Sequence, residues 1–533
     1  MGSAADNLAL ALKRCGSDLA FGVPGGGPNL DVVGALNDHG IRFVLAHSET
    51  SSCIMASVYG LLTGRIAAAV VTRGPGAAAA VNGAAQATLD RHPMVLVTDT
   101  VPSATADRVP HQRIAQRAML GPVCKASTSL GAETTVDQLT ERIDLALAEP
   151  PGTVHFDYDT TASESTSDEL ACEGLPNHAD ESGLIDTAKA LLTDAEYPVV
   201  ILGLGAPTDP DRVERLRSAL ERLGAPVLTT YQAVGVIASE NHQAAGLFTN
   251  GASERKLLER ADLFVTIGLD VVEPIPAAWD YQAPVLSLVT NPTLDPYMPI
   301  DVELLGDPVD LAELLLVDQT RWEPDVGAIH RQTVRKSLAN GGLLDTDADA
   351  LGPLEVVRIA AEAAPADTIT TVDAGAHFLA IMPFWPVAEP QQLLISNGLA
   401  TMGYAVPAAI ATGLARPGRP VLCFVGDGGL GMTLAELETI ARLELPVTVV
   451  VFNDSALSLI RIKQQSGHGG SDAVSYRFTD FAAMAPALGL DGVAVNTQDE
   501  LADALRHGWD RPRLIDARID PEPYAHLISV TRG

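Results

Sequence analysis

Cysteine is scarce and scattered in this chain. Its 533 residues include five, Cys15, Cys53, Cys124, Cys172 and Cys423, an odd number with no Cys-x-x-Cys pair. That spacing excludes a disulfide framework and a thiolate zinc site, and it suits buried free thiols in a reducing compartment. Aromatic residues make up only 5% of the chain. Positive charge is short as well: 35 Lys and Arg face 67 Asp and Glu, a formal net charge of −32 spread along the whole sequence. Such a field repels nucleic acid and anionic membrane surfaces, and an anionic substrate needs a pocket with its own donors. The opening MGSAADNLALALKRCG has no basic run followed by an apolar stretch, and no later segment is long and apolar enough to span a bilayer. A soluble, cytoplasmic protein is the expectation.

What the chain does have is apolar residues, at 47%, enough for two to four packed domains. Continuous apolar runs such as IAAAVVT, MVLVTD and PVVILGLG alternate with helical periodicity. That texture predicts three doubly wound α/β domains with parallel sheets, over residues 1–165, 183–330 and 353–533. The Ser-, Asp- and Glu-rich stretch from Thr161 to Gly183 reads as a linker. From Val326 to Gly352 the chain is polar and either helical or connecting.

The most informative passage is RPVLCFVGDGGLGMTLAELETIARLELPVTVVVFND. A buried strand ends at Gly426-Asp427-Gly428, a helix is expected from about Thr433 to Leu443, and a second buried strand ends at Asn453. The spacing from Gly428 to Asn453 brings Asp427 and Asn453 to the carboxyl ends of adjacent parallel strands, where ligands of open α/β sheets gather. A carboxylate and an amide oxygen suit Mg²⁺, which takes few ligands from protein and the rest from phosphate and water. Gly426, Gly428 and Gly429 let a diphosphate approach the backbone beside a helix N-terminus. A lone GDG would be a tight turn; between two buried strands at this spacing it points to a cofactor.

GDG, about two dozen residues and Asn resembles the thiamine-diphosphate fingerprint. The resemblance extends over nearly the whole chain to the acetolactate synthase large-subunit-like superfamily, with pyrimidine-binding, central and diphosphate-binding domains in that order. It implies Mg²⁺ held by Asp427, Asn453 and the carbonyl of Ser455, with Asp454 where a second Asn is common. In VLAHSETSS it implies Glu49 as the acid that protonates the aminopyrimidine; the alternative is that Ser48 or Glu49 favours a helix start. TRGPGAAAAVNGAAQATLDRHP resembles the strand–GPG–helix–Asp-x-x-Pro passage, so Gly74, Pro75 and Gly76 would shape a turn over the pyrimidine side. Arg73 replaces a small polar residue there and either alters the pocket or points to solvent. SNGLATMGYAVPAAI would offer the carbonyl of Ala400 and the wedge of Met402 to the pyrimidine. DAGAHF would bring Gly375 and His377 to the diphosphate, with Ala376 in place of the usual Gln.

Substrate-side residues follow less closely. HQRIAQRAML resembles the loop carrying a catalytic Gln, here Gln112, with His111 in place of an aromatic. His111 is either a proton donor or acceptor for a carbonyl intermediate or a surface loop residue. Leu457, Ile460 and Ile462 fall near the pocket mouth by analogy, and Ile462 replaces the aromatic that helps acetolactate synthases choose their second 2-oxo acid. In the central domain Gly203-x-Gly205 lacks a third glycine, and Asp270 stands where flavin-binding relatives have Arg. A retained fold without FAD is the expectation. The resemblance implies an enzyme that decarboxylates a 2-oxo acid and then either protonates the product or joins it to an acceptor carbonyl. Glu49, His111, Gln112 and His377 are its candidate catalytic residues. A flavin-linked 2-oxo acid oxidase and a thiamine-dependent lyase of a hydroxyacyl bond are the alternatives. A non-catalytic paralogue is disfavoured by the intact Glu49, Asp427 and Asn453. Family analogy also implies a homodimer or homotetramer, with each site shared between subunits.

Overall fold

The structure, a computed structural model, describes residues 3–161, 167–169, 181–274, 277–294, 296, 298–316, 320–340, 350–465, 467 and 469–532. The apolar runs form three sheets. The first comprises β1 (Leu19–Val23), β2 (Arg42–Leu45), β3 (Ala68–Val71), β4 (Met94–Asp99), β5 (Ala126–Leu130), β6 (Thr153–Tyr158) and β7 (Ser167–Glu169), in the order β2-β1-β3-β4-β6-β5-β7. The second comprises β8 (Pro198–Leu202), β9 (Val227–Thr229), β10 (Ala244–Leu247), β11 (Leu263–Ile267), β12 (Val285–Val289) and β13 (Val302–Leu305), in the order β10-β9-β8-β11-β12-β13. The third comprises β14 (Ile369–Val372), β15 (Leu393–Ile395), β16 (Val421–Gly426), β17 (Val447–Asn453), β18 (Asp491–Val495) and β19 (Arg513–Arg518), in the order β15-β14-β16-β17-β19-β18.

Strands such as β3, β8 and β17 are buried along their whole length, because helices cover both faces of a parallel sheet. Among the described residues the one antiparallel pair of named strands is β5 with β7. It corrects the expected linker: Ser167–Glu169 adds an edge strand to the first sheet, and the Glu181–Asp194 helix begins inside the stretch assigned to the linker. Three polar residues carry no hydrophobic alternation to reveal such an edge strand. Residues 162–166 and 170–180 of that stretch lie outside the described residues.

The direction of winding reverses between β1 and β3, between β8 and β11, and between β14 and β16, and in the first and third sheets again at β6-β5 and β19-β18. The first reversal in each sheet is the topological switch point, where the loops leaving neighbouring strands part and open a crevice. The first and third domains share a core. The Glu49–Thr63 and Ala405–Ala415 helices, rich in small residues, are buried against one another and against both sheets. The three domains meet at Asp90–Arg91. Arg91 makes a bidentate pair with Asp270 of the central domain (2.8 and 3.1 Å), and Asp90 Oδ1 accepts from the backbone N–H groups of Asn397 and Gly398 in the third (3.0 and 2.6 Å).

Candidate active site

In the third domain the loops after β14, β16 and β17 converge at the switch point. Gly426 pairs with Phe452, so Asp427 and Asn453 finish adjacent parallel strands. The helix starts earlier than its sequence suggests. It runs from Asp427 to Thr433 with Gly426 as its cap, and a second piece follows at Glu436–Arg442, in place of one helix from about Thr433 to Leu443. Glycines hide it from propensity. They are there for close packing, since a Cβ on Gly429 would sit 2.6 Å from Asp373 Oδ2.

The oxygen groups fit a hard cation. The amide nitrogen of Asn453 donates to the Thr479 carbonyl (2.9 Å) and to Asp516 Oδ1 (2.8 Å), which leaves its amide oxygen as the group to offer a ligand. Asp427 and Asp454 both accept from the Ala456 N–H (3.2 and 3.1 Å), and Asp454 is also held by the Ser458 hydroxyl. Burial, and next the charge of Asp454, push the Asp427 carboxyl up to about 6; a divalent cation would relieve both. Ser455 has a left-handed φ of +58°. Its carbonyl already accepts from the Tyr476 N–H (2.7 Å), with a second lone pair remaining. Among the described residues no cluster of three His, Cys, Asp or Glu could hold a metal. A cation here therefore depends on mixed oxygen ligands and on those a diphosphate brings.

His377 is buried and stacks on Phe452 (5.3 Å between ring centres). Its ring lies against Gly375 and Gly426, where an added Cβ would come to 2.7 and 3.3 Å. Burial lowers its pKa to about 3, so the ring is neutral, and its Nε2 is buried without a partner. A neutral imidazole with an unmet nitrogen beside the GDG loop fits a diphosphate oxygen better than a proton-transfer role at the reacting carbon. Sequence reasoning missed Asp373. Its carboxylate accepts from Ala374 N–H (2.7 Å) and Gly403 N–H (2.9 Å), and burial raises it to about 7. It ties the His377 loop to the pyrimidine segment. Within that segment Ala400 is exposed with a φ of +51°, a strained conformation that marks functional loops. Met402, Leu457 and Tyr476 converge on Gly428, where a Cβ would meet them at 3.4, 2.9 and 3.5 Å. Of the expected mouth residues, Ile460 is exposed, whereas Ile462 packs with Leu459 on the domain core.

The first domain builds the other half. Glu49 opens the helix after β2, with Ser48 as its cap. The Glu49 side chain reaches the GPG turn, for a Cβ on Gly76 would lie 3.3 Å from Glu49 Oε1. Gly74 has a φ of +66° and caps the helix that begins at Pro75; a Cβ on it would come within 2.7 Å of the Gln112 carbonyl. Gln112 itself is exposed with a φ of +56°, and His111 beside it is exposed without a hydrogen bond. Gln116, also missed, anchors the turn. Its Oε1 accepts from Gly74 N–H (3.2 Å), and its Nε2 donates to Asp157 Oδ1 (2.5 Å) and the Asp99 carbonyl (2.8 Å). Arg73 turns away from this turn, donating to the Thr100 carbonyl at 3.1 Å, and is only 22% exposed.

Within one chain the two halves meet the Pro75–Leu89 helix at different places. Glu49 and the GPG turn lie at the start of the Pro75–Leu89 helix. The pyrimidine segment docks farther along it, Thr401 at Asn82 and Gly398 against Leu89. By helical rise Gly76 is roughly 9 Å from Asn82 and roughly 20 Å from Leu89. Among the described residues no hydrogen bond or ion pair joins Glu49 to Met402, His377 or Asp427.

The central domain's crevice is filled from within. The Leu204 N–H, in the Gly203-x-Gly205 turn, donates to Glu273 Oε2 (2.8 Å), as does the Asp270 N–H (3.2 Å). The Thr230 hydroxyl donates to the other carboxyl oxygen. Asp270, which departs from the flavin-binding pattern, is engaged by Arg91. The Leu204 amide of this glycine turn is thus already bound.

Comparison with known proteins agrees with this geometry. Three family models match in order: the N-terminal binding domain of thiamine pyrophosphate enzymes over residues 3–119, the central domain over 185–315 and the C-terminal binding domain over 373–517. An acetolactate synthase of Bacillus subtilis is 29% identical over 96% of this chain and 92% of its own length. A catabolic acetolactate synthase of Raoultella terrigena is 29% identical over 95% and 92%. An acetolactate synthase isozyme 3 large subunit of Escherichia coli is 26% identical over 100% and 97%. With all three domains matched and the two half-sites in place, the chain belongs to the thiamine-diphosphate-dependent enzymes of the acetolactate synthase large-subunit-like superfamily.

Proposed function

We propose that this enzyme decarboxylates a 2-oxo acid and joins the remaining fragment to an acceptor carbonyl, using thiamine diphosphate and Mg²⁺. The observation that carries this reading is the pair of complementary half-sites, Glu49 against Gly76 and the oxygen groups of Asp427 and Asn453 beside the unmet Nε2 of His377. Thiamine diphosphate, when bound, would supply the nucleophile and the electron sink that decarboxylation of a 2-oxo acid needs. Asp427, Asn453 and the Ser455 carbonyl would hold the cation, and His377 the diphosphate. The Glu49 carboxyl would hold a proton at the aminopyrimidine. Gln112 and His111, exposed at the GPG turn, would meet substrate. Carboligation comes first because the relatives are named for it; protonation to an aldehyde is the competing end. Nothing in the Glu273-filled crevice favours the flavin-linked alternative.

Completion of each site by a second copy of the chain is part of this proposal. It is supported by apolar side chains exposed around both: Met432, Ile460, Tyr476 and Phe478 near the third-domain site, Leu45 and Ile114 near Glu49. The test is CO₂ release from a panel of 2-oxo acids, with and without thiamine diphosphate and Mg²⁺, with products identified by mass spectrometry. Release needing both, together with a hydroxyketone, supports carboligation, and an aldehyde supports the decarboxylase. Cofactor binding without CO₂ release would overturn the reading in favour of the lyase.

A further inference from the structure

No hydrogen bond or ion pair among the described residues holds the Glu49 carboxylate, which stands 3.3 Å from where a Cβ on Gly76 would lie. Its direction is therefore set by its own backbone. That backbone is carried by Ala46, His47 and Ser48, which lie between the end of β2 and the helix that Glu49 opens. The cap contributes little, since the Ser48 hydroxyl accepts from the Ser51 N–H at 3.5 Å, the outer limit of such a bond. On one side the loop is tied to its own sheet, where the Ala46 N–H donates to the Gly22 carbonyl (3.0 Å).

On the other side a single helix of the third domain, Glu436–Arg442, grips it. Glu436 Oε1 accepts from the His47 N–H (3.0 Å), Glu438 Oε2 meets the His47 Nε2 (2.8 Å), and Arg442 donates to the Leu45 carbonyl (2.6 Å). Glu438 and the His47 ring are partly exposed, so water competes for their contact. Glu436 differs: it is only 1% exposed, and its second oxygen accepts from the Thr439 hydroxyl (2.8 Å). A buried carboxylate is costly unless donors answer it, and its bond to an amide is charge-assisted. The firmest hold on the loop from outside its own domain is thus the Glu436 carboxylate.

We infer that Glu436 is a positioning residue for Glu49: it fixes the His47 peptide, two residues upstream, and through it the direction in which Glu49 enters the site. The inference rests on the acid role proposed for Glu49. It also places the support of one half-site on the other domain, because the gripping helix directly follows the Asp427–Thr433 helix.

Two near-isosteres test it in the full-length enzyme. Glu436→Gln keeps the reach, and its amide oxygen still accepts the His47 N–H. Glu436→Asp keeps the charge and falls one methylene short. With Glu436→Asp, kcat for CO₂ release should fall about tenfold at unchanged KM, while Glu436→Gln stays within about twofold of the parent. Added to Glu49→Gln, Glu436→Asp should cost nothing further, because the group it aims is gone. Without cofactor, amide hydrogen exchange in the peptide holding His47 should quicken in Glu436→Asp and keep the parent rate in Glu436→Gln. The inverse order of the two variants would overturn the inference, as would parent-like exchange in Glu436→Asp. An equal further loss in the Glu49→Gln background would do the same, since a purely structural role predicts it. Full turnover in Glu49→Gln would overturn the acid role and the inference together; loss there, with parent-like kcat in Glu436→Asp, would overturn the inference alone.

Discussion

Glu49 and Glu273 are two carboxyl groups with opposite tasks. Glu49 stands at a helix start beside the missing side chain of Gly76, where a bound pyrimidine can reach it. Glu49→Gln keeps the shape and removes the acid. Turnover should fall about 10²- to 10⁴-fold, as for loss of a positioned acid or base. Binding of thiamine diphosphate, followed by tryptophan quenching, should persist. Glu273 is buried, and burial raises its carboxyl from 4.5 to about 8. Between those values the folded chain holds a proton that the unfolded chain has lost. Stability should therefore fall as pH rises from about 4.5 to about 8, at up to about 1.4 kcal/mol per pH unit. Glu273→Gln, an isostere of the protonated form, should flatten that slope in urea unfolding at pH 5.5, 7 and 8.5. An identical slope in the variant would show that another group sets it. Asp427 and Asn453 were legible in sequence because they end buried apolar strands at a spacing that fits one helix and one strand. Asp373, Gln116 and Glu273 were not, because each is a single polar residue whose partners are backbone groups that only the folded chain brings near.

At the scale of elements, the strands and covering helices could be read from periodicity, whereas the glycine-dense turns could not. The Asp427–Thr433 helix is one case. Its sequence DGGLGMT argues against a helix, yet close packing on Asp373 and Val425 secures it and tolerates no larger residue at Gly429. The GPG turn is the other. Its resemblance to a family passage revealed its existence but not its support, because Gln116 and the Gln112 carbonyl reach it from a loop some forty residues on. Gly74→Ala tests that support. At a φ of +66°, with the Gln112 carbonyl 2.7 Å from the new Cβ, both strain and collision follow. Stability should fall by about 1–3 kcal/mol. Since the collision is with the loop that carries Gln112 and His111, kcat/KM should fall further than the unfolding loss explains, as measured at a temperature where the variant stays folded. The same substitution at Gly121, which has open space around it, should change neither quantity appreciably.

At the scale of the molecule, each of the three sheets has a switch point at its first reversal, and the chain uses the three differently. The first and third carry half a site each, and the second is filled by Glu273. The Asp90–Arg91 junction joins the domains so that Asp90 steadies the pyrimidine segment while Arg91 holds Asp270. That junction also seats the pyrimidine segment along the Pro75–Leu89 helix, from Asn82 to Leu89. If each site is shared, two inactive variants should repair one another. Co-expression of Glu49→Gln and Asp427→Ala chains, each with its own tag, lets mixed dimers be isolated by two affinity steps. In such a dimer one site receives Glu49 from one chain and Asp427 from the other, both intact, while the second site lacks both. Activity should return to about half that of the parent dimer. Sites built within single chains give the opposite outcome, since every site would then carry one lesion and the mixed dimer would be as inactive as its parts. The complementation assay therefore decides how the sites are assembled even if the physiological acceptor carbonyl is still being sought.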